Sequence, residues 1–139
     1  MTEISFYVGK SDTLSDRLLL ACRLTQKAHD RGWHVHLHTD SFATSKRLDE
    51  LLWTWQANSF LPHALADNAS DERITIAHDF EPTENCDYLI NLSNAKPEFF
   101  SRFVRMGEIL DQSHDILTDG RKRYAYYRER GYTLKYHQL

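Results

Sequence analysis

Long apolar runs are missing from this chain of 139 residues. The longest, such as "LLLA" and "YLI", last a few residues, so no segment is expected to span a bilayer. The opening "MTEISFYVGK" lacks a basic region and an apolar stretch, and does not read as a signal peptide. Cysteine is scarce: Cys22 and Cys86 stand far apart with no motif spacing around them. Two such thiols make no disulfide framework and suit a reduced, cytoplasmic protein. No G-x-G-x-x-G and no G-x-S-x-G occurs, which removes the signatures of a dinucleotide site and a hydrolase nucleophile. "YVGKS" (7–11) imitates the end of a phosphate loop, but G-x-x-x-x-G-K-[ST] needs glycine at position 4. Ile4 stands there, inside a predicted strand, so the backbone has no room to curl its amides around phosphate. No cofactor and no catalytic activity are expected.

What is present describes a globular protein. A hydrophobic fraction of 41% and a charged fraction of 27% exclude disorder, and the length predicts one domain over 1–139 with a real core. Strand patterns fall at 4–9, 33–40, 73–78, 86–93, 105–110 and 132–137. Helical spacing covers 13–31, 43–53 and 114–130, and Pro97 suits the first position of a further helix. Ser11, Asp12 and Thr13 are candidate N-caps of the first helix, Ser113 of the last; Gly32 and Gly131 are stops. Strands alternating with helices predict an α/β fold, with a mainly parallel sheet and helices on both faces.

His34, His36 and His38 alternate along one strand and so share one face. Three such positions span about 13 Å, so at most two can reach one metal ion. They are read as a polar strand face under a loop or helix, and no metal site is expected.

Two stretches carry more information. Residues 47–66 gather Trp53, Trp55, Phe60, Leu61 and Leu65 around Pro62 and His63. Such a cluster either covers the core or forms a hydrophobic interface, where aromatics act as anchors. The second stretch, "DGRKRYAYYRERGY" (119–132), holds five cations among four tyrosines. The chain is −3 overall, yet residues 121–139 carry six Lys/Arg against one Glu, +5, and the remainder 11 against 19, −8. That imbalance indicates one local anion-binding site rather than a surface that wraps a polyanion. On a helix, Arg121, Tyr124 and Arg128 share one face. Arg123, Tyr127 and Arg130 form a second, with Tyr127 the most core-like.

The pattern "RLDE.LW.....SF.PH.LA" (47–66) resembles the chi subunit family of bacterial DNA polymerase III. So do "R.RY..YR..GY.L" (121–134) and the early Phe6–Tyr7. The resemblance implies a Rossmann-like α/β fold without nucleotide chemistry. It also implies a non-catalytic accessory protein of the replicative clamp loader, bridging the psi subunit to the acidic C-terminal tail of single-stranded DNA-binding protein. Trp53, Phe60, Pro62 and His63 would face psi. Arg121, Tyr124 and Arg128 would hold the tail, with Lys122 and Arg123 adding positive field. Guanidinium groups would pair with carboxylates, and tyrosine rings would wall a terminal hydrophobic residue. Nucleic acid would be met only indirectly, by a monomer or a 1:1 heterodimer with psi. Two alternatives stay open: direct single-strand binding through the C-terminal patch, or a helicase adaptor using the same surfaces. The family pattern has a basic residue where Leu117 and Ala125 stand here.

Overall fold

The computed structural model describes residues 1–56, 61–65 and 72–139. Its strands are β1 (Glu3–Val8), β2 (Val35–His38), β3 (Ala64–Leu65), β4 (Ile74–Ala77), β5 (Tyr88–Asn91), β6 (Arg105–Leu110) and β7 (Leu134–Gln138). Its helices are α1 (Leu14–Asp30), α2 (Phe42–Thr54) and α3 (His114–Glu129). The strands form one sheet in the order β3-β4-β2-β5-β6-β1-β7, and every pairing is parallel. This is the expected Rossmann-like α/β architecture.

Local sequence explains the element ends. Thr13 caps α1, its Oγ1 accepting from the Asp16 amide, and Gly32 takes a positive φ of 80° just beyond the helix. Ser41 caps α2 in the same way through the Thr44 amide. At α3 the N-cap Ser113 uses its hydroxyl differently, donating to the Asp12 carbonyl and so tying α3 to the β1–α1 connection.

The strand pleat divides the core into two layers. Leu18, Ala21, Leu48 and Leu52 from α1 and α2 pack on Val35, Leu37, Ile76, Ile90 and Ile109. On the opposite face Tyr127 of α3 packs with Ile4, Phe6, Val8, Leu89, Met106 and the phenylalanines at 99, 100 and 103. Alternate residues of β1, β5 and β6 supply opposite layers, as a period of two requires.

The helix expected from Pro97 is a three-residue 3₁₀ turn, Phe100–Arg102. It cannot extend, because the chain is pulled straight into β6. The Thr2 hydroxyl donates to the Phe103 carbonyl at 2.6 Å, and the Val104 amide donates to Cys86 O at 3.0 Å.

Candidate functional site

The C-terminal basic stretch forms the body of α3. Gly120 sets how closely that helix approaches the sheet: a Cβ there would lie 2.5 Å from Leu110 Cδ1 and 2.9 Å from Leu110 Cδ2. The close approach leaves a pocket of about 240 Å³ between α3, β1, β6 and β7. Its wall is apolar, from Phe6, Leu110, Leu117 and Ala125, with Tyr124 and Tyr136 beside them. Tyr124 stands edge-on to Phe6 at 5.2 Å and to Tyr136 at 6.4 Å. Arg121 and Arg128 line the same pocket from exposed positions, and the Arg128 guanidinium lies 5.9 Å from the Tyr124 ring. Among the described residues, no carboxylate reaches ion-pair distance of either arginine. One pocket thus combines an apolar floor with two uncommitted guanidinium groups. That combination suits an anionic chain with an apolar terminal group.

The structure therefore brings Arg121, Tyr124 and Arg128 together. Lys122 points elsewhere, 76% exposed and 3.8 Å from Asp119. Arg123 requires a correction. It was expected to add field to the patch, but it is 7% exposed and turned into the core. Its Nε and Nη2 donate to the two carboxylate oxygens of the fully buried Glu108 at 3.0 and 3.2 Å. Tyr127 donates its hydroxyl to the same carboxylate at 2.6 Å, and the Asn91 side-chain amide does so at 2.9 Å. Burial, with Glu108 alongside, pushes the Tyr127 phenol well above its ordinary range. The Arg123 charge is thereby matched inside the protein and lends little to the surface. Tyr127 is core, as expected. Glu108 and Asn91 were not foreseen, since neither sits in a motif.

The second candidate surface lies at the end of α2. Trp53 is 48% exposed and tilts over the His63 ring at 4.3 Å. His63 itself is buried, which corrects its expected place on a partner-facing surface. Its Nδ1 lies 2.6 Å from the Leu61 carbonyl within the turn and its Nε2 2.9 Å from the Asp49 carbonyl of α2, so the ring sits between the turn and that helix. Pro62 is half-buried, Leu61 is core, and Phe60 lies outside the described residues.

The three histidines of the β2 stretch go to different neighbours. His34 Nδ1 is 3.2 Å from Asp87, His36 Nδ1 is 2.6 Å from the Thr75 hydroxyl, and His38 stands edge-on to Phe99. Burial holds His36 far below the usual imidazole range, at about 3, with His38 contributing, and lowers His38 as well. Among the described residues no three His, Cys, Asp or Glu side chains converge as a metal would require.

The imitation phosphate loop is tied down. The Gly9 amide donates to Leu110 O at 3.0 Å, and Gln112 Nε2 donates to Gly9 O at 2.9 Å. Arg17 reaches from α1 to donate to the Leu92 carbonyl at 2.8 Å, bridging the crevice at the strand ends where open α/β sheets take ligands. Burial lowers the Arg17 pKa from its ordinary value, against the pull of Asp111 and Asp40.

Fold and site define the class: a parallel α/β protein that presents an amphipathic, arginine-rimmed pocket on its last helix. The family model described as "DNA polymerase III chi subunit, HolC" matches residues 1–135. DNA polymerase III subunit chi of Pseudomonas aeruginosa is 36% identical over 139 residues, covering 100% of this chain and 98% of that protein. The Escherichia coli protein of the same name is 28% identical over 141 residues, 96% of each chain, and the Haemophilus influenzae protein 29% over 118 residues, 83% of this chain and 82% of that one. The chain belongs to the DNA polymerase III chi subunit family. No helix among the described residues is long and apolar enough to cross a membrane.

Proposed function

We propose that the whole chain, 1–139, acts as one chi-like α/β domain: a non-catalytic accessory subunit of the replicative clamp loader. It bridges the psi subunit to the acidic C-terminal tail of single-stranded DNA-binding protein. The observation that carries this reading is the α3 pocket, apolar within and flanked by Arg121 and Arg128. An acidic tail ending in a hydrophobic residue offers a complement to each part. The terminal side chain enters against Phe6, Leu117 and Tyr124, and its carboxylate and the preceding acids meet the two guanidinium groups, while Lys122 contributes only long-range field. Leu117 and Ala125, where the family pattern has basic residues, add apolar wall. Psi is assigned to Trp53 at the end of α2 and Pro62 beyond it, away from the α3 pocket, with His63 supporting Trp53 from beneath; Phe60, outside the described residues, is assigned to psi on the family pattern alone. Partner and cargo then do not compete for space.

Calorimetry with tail peptides tests the assignment. Charge-assisted hydrogen bonds contribute about 1.5–3 kcal/mol, so Arg121→Ala weakens binding about tenfold to a hundredfold. Removing the peptide's last residue hurts as much as neutralising its acids. Equal affinity for intact and shortened peptides removes the proposed site.

A further inference from the structure

A second groove, unrelated to the α3 pocket, opens on the other face of the sheet. There α1 packs over β2 and β6, Ser5 and Tyr7 of β1 are partly buried, and Lys135 and His137 of β7 stay exposed. The space between these strands and the C-terminal end of α1 measures about 470 Å³. Its charge is lopsided. Lys27 and Arg31 enter from α1 and its cap, Arg105 from β6 and Lys135 from β7, against Glu3 as the one acidic side chain of the lining. Among the described residues none of these four cations lies within ion-pair distance of an acid. In a chain of net charge −3 this is a local concentration of positive charge, of which Arg105 lies within electrostatic reach of a further carboxylate, Asp87.

The groove is also aromatic. Tyr7 and His137, neighbours across the β1–β7 ladder, stack nearly parallel, 4.9 Å apart and 13° from coplanar. His137 is exposed on the sheet's edge strand, so a further planar ring can extend the stack outward. The Arg105 guanidinium lies 3.7 Å over the Trp33 ring, and Arg31 approaches the same indole at 5.1 Å. Those stacks hold both guanidinium groups at the groove without neutralising them.

We propose that this groove binds single-stranded nucleic acid. Phosphates rest on Lys27, Arg31, Arg105 and Lys135, and a base continues the Tyr7–His137 stack. Backbone-tracking cations combined with stacking rings are the general requirements for a single strand. An acidic peptide would use the cations but not the flat ring pair.

The test is fluorescence anisotropy of the full chain with labelled oligothymidylate and oligouridylate about 15 nucleotides long. Both strands are expected to bind, and their relative affinity shows whether DNA or RNA is preferred. The logarithm of affinity is expected to fall with the logarithm of salt at a slope near about −3, for about four phosphates. The double variant Lys27→Glu/Lys135→Glu changes two exposed positions and is expected to lose at least about tenfold in affinity with its melting temperature unchanged. His137→Ala is expected to lose about fivefold or more, and His137→Tyr to restore it. Undiminished binding by the double variant overturns the proposal. So does loss of binding in Arg121→Ala, which would move the strand to the α3 pocket, or displacement of the strand by polyglutamate as effectively as by unlabelled oligothymidylate of matched charge.

Discussion

Replacing Arg123 by alanine distinguishes a buried strut from a surface ligand. In the native protein Glu108 is fully buried and accepts four hydrogen bonds: two from Arg123, one from Tyr127 and one from Asn91. Removing Arg123 leaves that carboxylate in the core with two neutral donors and no hydrogen-bonded cation; the buried Arg17 acts on it only from beyond ion-pair distance. Breaking one side of a buried ion pair costs about 3–5 kcal/mol, because the remaining charge stays desolvated. Against a total stability of about 5–15 kcal/mol this is a large fraction. At about 3 °C per kcal/mol, the melting temperature should fall by about 10–15 °C. Lys122→Ala, one residue earlier on the exposed side of α3, is the control and should change stability by less than about 0.5 kcal/mol. Urea denaturation of both variants, with the slope compared to wild type, measures the difference. The double variant Glu108→Leu/Arg123→Met should recover part of the loss, since it removes the stranded charge but still leaves Tyr127 and Asn91 short of a partner. Arg123→Ala as stable as Lys122→Ala would refute the reasoning. So would an Arg123→Ala protein that keeps its stability but loses the tail peptide.

His36 should make the protein acid-sensitive: its folded pKa of about 3 lies below the ordinary 6.5, so the unfolded chain takes up the proton first as pH falls. Between pH 6.5 and pH 5 this should remove about 2 kcal/mol, and His36→Leu should flatten that part of the stability–pH curve; an unchanged slope sinks the assignment. Gly120→Ala would gain about 1 kcal/mol of helix propensity but press its methyl into Leu110, an overpacking cost of about 1–3 kcal/mol. A net loss of stability and a weaker tail complex are expected, and a stabilised variant would contradict the close approach. At the other surface, Trp53→Ala should weaken co-purification with psi by about thirtyfold, or about 2 kcal/mol, while His63→Ala should chiefly lower thermal stability. Intact psi binding by a folded Trp53→Ala protein would exclude this surface.

The sequence alone determined whatever depends on neighbours a few residues away. Alternation and helical spacing located the three helices and every strand but the two-residue β3, and Thr13, Gly32 and Gly131 marked helix ends, because caps and periodicity are local chemistry. The shared face of Arg121, Tyr124 and Arg128 was legible too, since a period of 3.6 residues is set by the backbone. That period says which residues point the same way, but not what waits on each side. Whether Arg123 faced solvent or core was decided by Glu108, fifteen residues away on β6, and by Tyr127 beside it. His63 turned inward because two backbone carbonyls stood within its reach, at Leu61 and Asp49. The basic groove had no signature in the chain at all. Its ring pair joins positions 7 and 137, and its cations come from α1, β6 and β7. Only parallel pairing of β1 between β6 and β7 sets them side by side, because register across a sheet is fixed by long-range packing.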